Sequence, residues 1–371
     1  AARVVKHHFP GCWVDYLYCA TAEPLVENNP DIDGSYPLFT GRFIPTSPEC
    51  DRVRDLIREG SHDLVLSFSP FLPNEVLEEA GCPVLRPLEM ICEILSRQKQ
   101  SNGVCAHLIR NLGIYLDNLL SPHSSRGPMA IRTRRMGPVL HLPPDFKRRR
   151  RRWCEEKDIH DDGRIVFWNP DASNRYTMVD ETVQVALIER ILKLEVCDRL
   201  LLGCGFTYPG IQARLLKGIA KELHCKVLSL TRELPIDLYA GLTDVCRVFV
   251  TADTGPMHIA AARKFSAGEA DEFRNRTSVV GLFGPTLPRV YGYDSSRHGF
   301  FPANQDAPSR VFEARCGEKS LICSLERVIE GCGGHRCFQA FPVDAAMEFI
   351  TGRLSVLDDE MVMKPEDAVV F

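Results

Sequence analysis

The sequence lacks any uninterrupted apolar run close to the roughly 18 residues that a membrane-spanning helix needs. It shows no signal peptide ahead of its first domain, so nothing in it directs export. It also lacks an excess of basic residues, because its formal net charge at pH 7 is −4. These absences predict a cytoplasmic protein. They also argue against the broad positive field that attracts nucleic acid, so we expect no nucleic-acid partner.

Cysteine is plentiful, with fifteen residues, but its pattern does not suit a disulfide-stabilised protein. The number is odd, and several thiols, such as Cys19, Cys82 and Cys246, lie inside apolar runs. A reduced thiol in such a run behaves as a small buried hydrophobe. Disulfide frameworks belong to small secreted domains, so the cysteines also favour a reducing cytoplasm.

Length and composition indicate a globular protein of two domains. The composition, 44% hydrophobic and 25% charged, is that of a soluble globular protein. The length of 371 residues is more than one domain of ordinary size contains. In its second half, short apolar segments alternate with longer amphipathic ones. This alternation predicts a doubly wound α/β sheet of parallel strands. The predicted strands are residues 164–168, 199–202, 226–230, 247–250 and 278–283, and the clearest predicted helix is 181–194.

The first half predicts a similar domain from weaker signals. Residues 14–18, 64–68 and 138–142 have the pattern of strands, and residues 50–59 and 74–80 that of helices. Residues 1–9 resemble the end of a helix, so we expect this domain to lack its first strand. The predicted organisation is an N-terminal domain over 1–155, a C-terminal domain over 156–345, and a helix with a tail over 346–371.

Six consecutive basic residues, Lys147 to Arg152, lie between the two halves. Such a run can bind anionic lipid headgroups, which would give a peripheral contact with the inner membrane, or a phosphorylated acceptor. The alternative is a solvated basic linker helix.

The most informative segment is the turn that follows the predicted strand 247–250. Asp253, Thr254 and Gly255 form a tight connection to a helix that begins near Pro256, a residue suited to a first helical turn. Ligands of open α/β sheets bind at this carboxyl edge. The amide groups of the helix start would face a phosphate, and Asp253 can accept hydrogen bonds from sugar hydroxyls. The alternative is an ordinary helix cap.

A second turn, Gly284-Pro285-Thr286, follows the next strand, so two consecutive strand ends can line one side of a nucleotide cleft. The pair Asp253-Thr-Gly-Pro-Met-His258 and Phe283-Gly-Pro-Thr286 resembles the signature of glycosyltransferase family 9, the heptosyltransferases of bacterial lipopolysaccharide synthesis. The stretch from Asn169 to Arg175 is similar to the phosphate-facing loop of that family. The resemblance is strongest over residues 164–290.

The resemblance implies a type-B glycosyltransferase fold of two facing Rossmann-like domains, with ADP-heptose as donor, inversion at the anomeric carbon and no cofactor required for transfer. It implies that Asp253 holds the heptose and that Arg175 stands where the family has a lysine near the phosphates. These two are the candidate catalytic residues, and an ordinary surface arginine is the alternative for Arg175. The implied donor-binding residues are Ser173, Asn174, Asp253, Thr254, Gly255, Pro256, Met257, His258, Gly284, Pro285 and Thr286.

The sequence departs from the family pattern in two places. The general base of the family is an aspartate in a glycine-rich loop after the first strand, and this sequence begins downstream of that loop. The loop Gly203 to Gly210 lies where the family places a glutamate that meets the nucleoside, and it carries no acid. The identity of the base and the preference for adenine therefore stay open.

Four cysteines near the C-terminal end form a third group: Cys316, Cys323, Cys332 and Cys337. Four thiols within 22 residues can hold one structural zinc or iron ion. Their spacing lacks the tight Cys-x-x-Cys pattern, so reduced thiols in a loop are the alternative.

Two functions follow from these residues. The first is an inverting glycosyltransferase that moves a heptose or a similar sugar to a lipopolysaccharide core sugar or to a protein hydroxyl. The second is a non-catalytic family member that binds nucleotide sugars or acts as a scaffold.

Overall fold

The computed structural model describes residues 1–38, 47–68, 72–79, 81–87, 108–129, 138–160, 163–172, 175, 177–267, 277–286, 288–294, 308–314, 336–339 and 341–356. The chain divides into two compact units. The first comprises Ala1–Met136 and His141–Pro143, and the second comprises Gly137–Leu140 and Pro144–Phe371.

The first unit contains two parallel pairs of strands with helices between them. The strands are β1 Asp15–Cys19 paired with β2 Gly34–Leu38, and β3 Val65–Leu66 paired with β4 Val84–Leu85. The helices are α1 Ala2–His8, α2 Glu23–Val26, α3 Pro48–Glu59, α4 Asn74–Glu78 and α5 Leu108–Leu120, with 3-10 turns at Ala20–Ala22 and Ser121–His123.

The helices predicted at 1–9, 50–59 and 74–80 and the strands predicted at 14–18 and 64–68 are all present in this unit, with small shifts of their ends. The strand predicted over Pro138–Leu142 is wrong, because this stretch has no regular structure. It crosses from one unit to the other. Its flanking Pro138 and Pro143 lack the amide hydrogen that a strand ladder needs.

The second unit is built on a parallel sheet of six strands in the order β10-β9-β8-β5-β6-β7. The strands are β5 Ile165–Trp168, β6 Arg199–Leu202, β7 Val227–Ser229, β8 Val248–Ala252, β9 Ser278–Phe283 and β10 Arg310–Glu313. The first five confirm the strands predicted in this half, and the α/β class is confirmed with them. β10 is a strand that the sequence pattern does not predict.

Helices connect these strands: α6 Phe146–Glu156, α7 Glu181–Leu192, α8 Ile211–Gly218, α9 Ile236–Leu242, α10 Gly255–Ala267, α11 Pro288–Tyr291, α12 Arg336–Gln339 and α13 Val343–Ser355, with a 3-10 segment at Lys221–Lys226. Asp180 caps α7, because its carboxylate accepts a hydrogen bond from the Thr182 amide at 2.9 Å. Within the described ranges, no helix is long and apolar enough to cross a membrane.

The sheet is buried on both faces, as its apolar strands predict. Every residue of β5, β8 and β9 is buried. The largest of these side chains, Trp168, donates its indole hydrogen to the Gln184 carbonyl at 2.8 Å. The amide group of Gln184 then donates to the carbonyl oxygens of Pro170 and Val179. A buried glutamine of α7 therefore holds the loop that leaves β5.

The basic helix α6 packs on the second unit through ion pairs. Arg149 lies 2.7 Å from Asp237, Arg150 lies 3.3 Å from Asp244, and Arg263 of α10 lies 2.7 Å from the same oxygen of Asp244. The predicted boundary near residue 155 places this helix in the N-terminal domain, because a run of charge does not show which arginines point inward. Arg148 and Arg152 point outward, with side chains 84% and 81% exposed.

Replacing Asp244 with alanine should destabilise the second unit. The change deprives the guanidinium groups of Arg150 and Arg263 of their shared carboxylate, and these side chains are only 13% and 7% exposed. Removing one partner of a buried ion pair costs about 3–5 kcal/mol. Urea unfolding followed by circular dichroism measures the change in the free energy of unfolding.

Glu156→Ala is the matched control, because it removes the partner of Arg152 in an ion pair that is largely exposed. An exposed pair of this kind contributes about 1 kcal/mol or less. If Asp244→Ala lowers the free energy of unfolding no more than Glu156→Ala does, α6 is not held by this carboxylate.

Candidate functional site

The order of the strands locates a crevice in the second unit. From β5 the chain proceeds outward through β6 and β7, and then returns to the other side of β5 to form β8, β9 and β10. The order reverses between β5 and β8. In open α/β sheets, ligands bind outside the carboxyl ends of the strands at such a point.

The turn after β8 has the geometry expected of it. Helix α10 begins at Gly255, with Pro256 second, and the Met257 amide donates to the Thr254 carbonyl at 3.0 Å. A Cβ atom placed on Gly255 would meet no atom within 4 Å, so the space above this helix start is open. The Met257 side chain is fully buried and belongs to the core. Only the backbone of Met257 can therefore face the crevice.

Asp253 is the titratable residue of this turn. Burial raises the pKa of its carboxyl to about 6. The Thr286 hydroxyl lies close enough to oppose this rise, but it forms no hydrogen bond of regular geometry, although the oxygen is buried. A buried hydroxyl without such a bond is destabilising, so it marks a place where a ligand can supply the missing partner.

The position of Thr286 depends on Gly284 of the same turn. Because Gly284 has no side chain, the Phe338 ring can pack directly against its backbone. A Cβ atom on Gly284 would lie 2.4 Å from an atom of the Phe338 ring. Any larger residue would therefore have to displace the buried Phe338 ring. Gly284, Pro285 and Thr286 are all buried, so the turn is fixed by packing.

His258 lies on α10 and is joined to Tyr293, a residue that the sequence analysis did not single out. The His258 Nδ1 atom and the Tyr293 hydroxyl are 2.9 Å apart, and the two rings meet edge to face. Burial lowers the pKa of His258 to about 4. Burial, with the Asp253 charge in addition, raises the pKa of Tyr293. Both groups are therefore neutral at pH 7, beside a carboxyl that is mostly ionised.

The loop after β5 is held by buried polar side chains. The Asn169 amide donates to the Thr251 hydroxyl at 3.1 Å, and its carbonyl accepts from the Tyr239 hydroxyl at 3.1 Å. Asp171 accepts from the backbone amide of Thr207 at 2.5 Å. Asn169 and Asp171 thus act inside the protein and shape the loop, although the resemblance placed them in a phosphate-facing segment.

Arg175 follows this loop at a turn and is exposed. Among the described residues, it forms no hydrogen bond or ion pair, so its guanidinium is available to a ligand. Ser173 and Asn174 lie outside the described residues, and their predicted roles stay predictions.

The loop after β6 presents an aromatic ring that the sequence analysis also missed. Phe206 is 51% exposed. Its neighbour Gly205 has a φ of +71°, and a Cβ atom there would lie 2.2 Å from Ile211. Arg232, which follows β7, donates to the carbonyl oxygens of Gly205 and Phe206 at 3.1 and 3.3 Å.

The predicted metal site falls largely outside the described residues. Cys316, Cys323 and Cys332 are among the residues that the structure does not describe, and the Cys337 Sγ atom lies 3.2 Å from the position that a Cβ atom on Gly284 would take. In the described part of the chain, no group of three or more His, Cys, Asp or Glu side chains could hold a metal ion. The four-cysteine site stays a prediction.

Known proteins resemble this chain in sequence and in fold. The family model for glycosyltransferase family 9 (heptosyltransferase) matches residues 208–319, which include both candidate donor turns. No curated protein matches the sequence.

Three solved structures show the likeness in fold. An ADP-heptose lipopolysaccharide heptosyltransferase II from E. coli is 16% identical with a TM-score of 0.59, and the match covers 95% of this chain and 92% of that one. A family 9 glycosyltransferase from Veillonella parvula is 14% identical with a TM-score of 0.67, covering 95% and 91%. The E. coli heptosyltransferase WaaC with ADP is 14% identical with a TM-score of 0.52, covering 95% and 93%.

These findings define the class of protein first. The α/β fold, with its six-stranded parallel sheet, is that of the type-B glycosyltransferases. The match of the family model over residues 208–319 then confirms the resemblance to glycosyltransferase family 9 that was drawn from the two turns.

Replacing Thr286 with valine should leave the stability of the fold unchanged or raise it by about 1 kcal/mol. Valine has nearly the same shape and removes a buried hydroxyl that has no regular hydrogen bond. Thr251→Val is the matched control. Its hydroxyl is equally buried, but it accepts from Asn169 and donates to the Ala252 carbonyl, so its loss should cost about 1–3 kcal/mol. Urea unfolding measures the free energy of unfolding of both variants. If both lose the same amount, the Thr286 hydroxyl forms a hydrogen bond within the fold.

Proposed function

We propose that this chain is an inverting glycosyltransferase that moves a heptose, or a similar sugar, from a nucleoside-diphosphate donor to an acceptor hydroxyl. ADP-heptose is the first candidate donor, because the matching family is described as heptosyltransferase and the E. coli relative WaaC was solved with ADP. One observation carries the proposal: the Asp253 carboxyl and the buried Thr286 hydroxyl lie together at neighbouring strand ends.

The two groups suit a sugar better than a phosphate. A carboxylate accepts hydrogen bonds from sugar hydroxyls, which a diphosphate cannot donate, and it would repel the diphosphate charge. A threonine hydroxyl can donate or accept, so it can bond a second hydroxyl of the same sugar. The sugar therefore belongs at Asp253 and Thr286.

The diphosphate belongs at the start of α10. The open space above Gly255 lets phosphate oxygens reach the first amide groups of the helix. The positive end of the helix dipole lies behind those amides, which favours an anion there.

Arg175 supplies the remaining positive charge in this proposal. The leaving diphosphate gains negative charge as the glycosidic bond breaks, and a guanidinium can bond it with two parallel hydrogen bonds. A guanidinium and a helix start together take the place of a divalent cation, so we propose that transfer needs no metal cofactor.

The acceptor is a lipopolysaccharide core sugar or a protein hydroxyl. Binding of the donor can be measured without either acceptor. A family member that binds the donor without transferring it is the alternative, and the release of diphosphate distinguishes it.

A peripheral contact with the inner membrane from the cytoplasmic side also stays a proposal, but the structure narrows the residues involved. Arg149 and Arg150 are occupied by Asp237 and Asp244. The exposed cations of α6 are Lys147, Arg148, Arg151 and Arg152. These four residues form the surface that anionic headgroups would meet.

The structural zinc or iron at the C-terminal cysteines is likewise proposed.

Asp253→Ala should weaken binding of the sugar donor by roughly tenfold or more, which corresponds to the loss of one or two hydrogen bonds to a charged group. The same change should leave binding of ADP alone nearly unaffected, because ADP lacks the sugar. Isothermal titration with ADP-heptose and with ADP measures both affinities. Wild-type affinity for the sugar donor would remove Asp253 from the site.

The pH dependence of donor binding provides a second readout of the same residue. With a pKa near 6, the carboxyl becomes protonated as the pH falls from 7 to 5. Protonation removes the negative acceptor, so affinity for ADP-heptose should fall over this range. Asp253→Asn should lose this component and is the control, because both phosphates of ADP-heptose are esterified and have no proton that titrates over this range.

Arg175→Ala should slow transfer by an amount on the order of 2–4 kcal/mol in the activation free energy, the range for losing one electrostatic donor. Arg175→Lys should recover part of it, since the charge remains but the planar fork is lost. Release of the nucleoside diphosphate measures the rate, with and without EDTA.

Arg190→Ala is the matched control, because Arg190 is an arginine of α7 in an exposed ion pair with Asp344. It should keep the parental rate. If transfer requires added magnesium, or if Arg175→Ala and Arg190→Ala are equally active, Arg175 has no part in the reaction. Donor binding without any release of diphosphate would favour the scaffold.

A further inference from the structure

We propose that Phe206 is the platform on which the base of the donor nucleotide stacks, and that stacking rather than a carboxylate holds the base. This inference rests on the proposed function, since it assumes that a nucleoside-diphosphate sugar binds at the carboxyl edge of the sheet.

The exposure of Phe206 is the first observation. Among the described residues, three large hydrophobic side chains are exposed, and the other two, Trp13 and Tyr16, belong to the first unit. The second unit thus leaves one described large apolar ring, that of Phe206, at 51% exposure. This ring follows the carboxyl end of β6, which is the edge of the sheet where ligands bind. An exposed aromatic ring at such an edge is typical of a surface that binds a flat partner.

The backbone that carries the ring is held from both sides. Arg232 donates to the Gly205 and Phe206 carbonyl oxygens, and the Thr207 amide donates to Asp171 of the neighbouring loop. These contacts are all made within the protein itself. A ring on a backbone that is already ordered loses little entropy when a base stacks on it.

The position along the sheet suits a nucleotide that extends from the donor turns. β6 is separated from β8 by β5 alone, so the two strand ends are about two strand spacings, or roughly 10 Å, apart. An extended nucleoside diphosphate can span this interval, with its phosphates at the start of α10 and its base at Phe206. The ring also meets Tyr239 edge to face, at 6.5 Å between centroids, so its outer face is left to a ligand.

The chemistry of the loop predicts how selective this subsite is. Residues 203–210 contain no acidic side chain that could read the hydrogen-bonding edge of a base. Stacking on an aromatic ring tolerates all bases, because each base has a π face. The site should therefore bind ADP and GDP with affinities that differ by about tenfold at most.

The test compares two probes, ADP and inorganic pyrophosphate, by isothermal titration. Loss of one base–aromatic stack weakens binding by roughly 5- to 150-fold. Phe206→Ala should therefore weaken ADP binding within that range and leave pyrophosphate binding unchanged. Phe206→Leu should resemble Phe206→Ala, because leucine is apolar but cannot stack. Trp13→Ala, which removes the most exposed ring described in the first unit, should change neither affinity.

Phe206→Trp gives a direct signal. This variant should retain ADP affinity, and ADP should quench the added indole fluorescence relative to the parent, whereas pyrophosphate should not. Melting curves of all variants should agree within a few degrees, because the ring is half exposed and contributes little to the core.

The outcomes separate this inference from the proposed function. A parent protein that binds neither ADP nor pyrophosphate would overturn both. A parent that binds ADP as tightly as Phe206→Ala does would overturn the platform alone and leave the donor site standing. Equal weakening of ADP and pyrophosphate by Phe206→Ala would also overturn it, since the ring would then support the loop instead of meeting the base.

Discussion

The buried amide of Asn169 joins the two strands between which the order of the sheet reverses. Asn169 follows β5 directly. Its side-chain amide donates to the Thr251 hydroxyl of β8 and accepts from the Tyr239 hydroxyl of α9. The same amide donates to the backbone carbonyl of Asp171, whose carboxylate accepts from the Thr207 amide in the loop after β6. One chain of buried hydrogen bonds therefore sets the relative positions of three loops, and the candidate site depends on it. Such a network contributes to stability only when each member is satisfied, which makes the loops rigid.

The sequence predicted the parts of this unit that repeat a simple pattern. β5, β6, β8 and β9 are short apolar runs, and the turns at Asp253 and Thr286 follow two of them directly. β10 could not be predicted, because only Val311 and Phe312 separate its charged ends and two residues do not form a recognisable apolar run. The packing of α6 could not be predicted either, because a run of six cations does not show that Arg149 and Arg150 form ion pairs with carboxylates from distant segments.

The site residues that the sequence missed are those defined by three-dimensional contact. Tyr293 follows its strand at some distance and is recognised only by its bond to His258. Phe206 has no periodic signal, because a single phenylalanine in a glycine-rich loop is usually packed inward. It is a candidate because its ring is exposed. The backbone around it contains Gly205 with a positive φ and is held by hydrogen bonds from Arg232. Local pattern located the loops, whereas folding determined which side chains reach the crevice.

Three unfavourable features meet at the same edge of the sheet: a desolvated Asp253 carboxyl, a buried Thr286 hydroxyl without a regular hydrogen bond, and an exposed Phe206 ring. In the proposed function, each one is matched by a different part of one nucleotide sugar. In that proposal, hydroxyl donors from the sugar favour the ionised form of Asp253, so binding and ionisation support each other. His258 and Tyr293 are both neutral at pH 7, so neither of them neutralises the negative charge of Asp253. The carboxylate therefore keeps its capacity for the ligand, which explains why a group that is costly to bury occupies this turn.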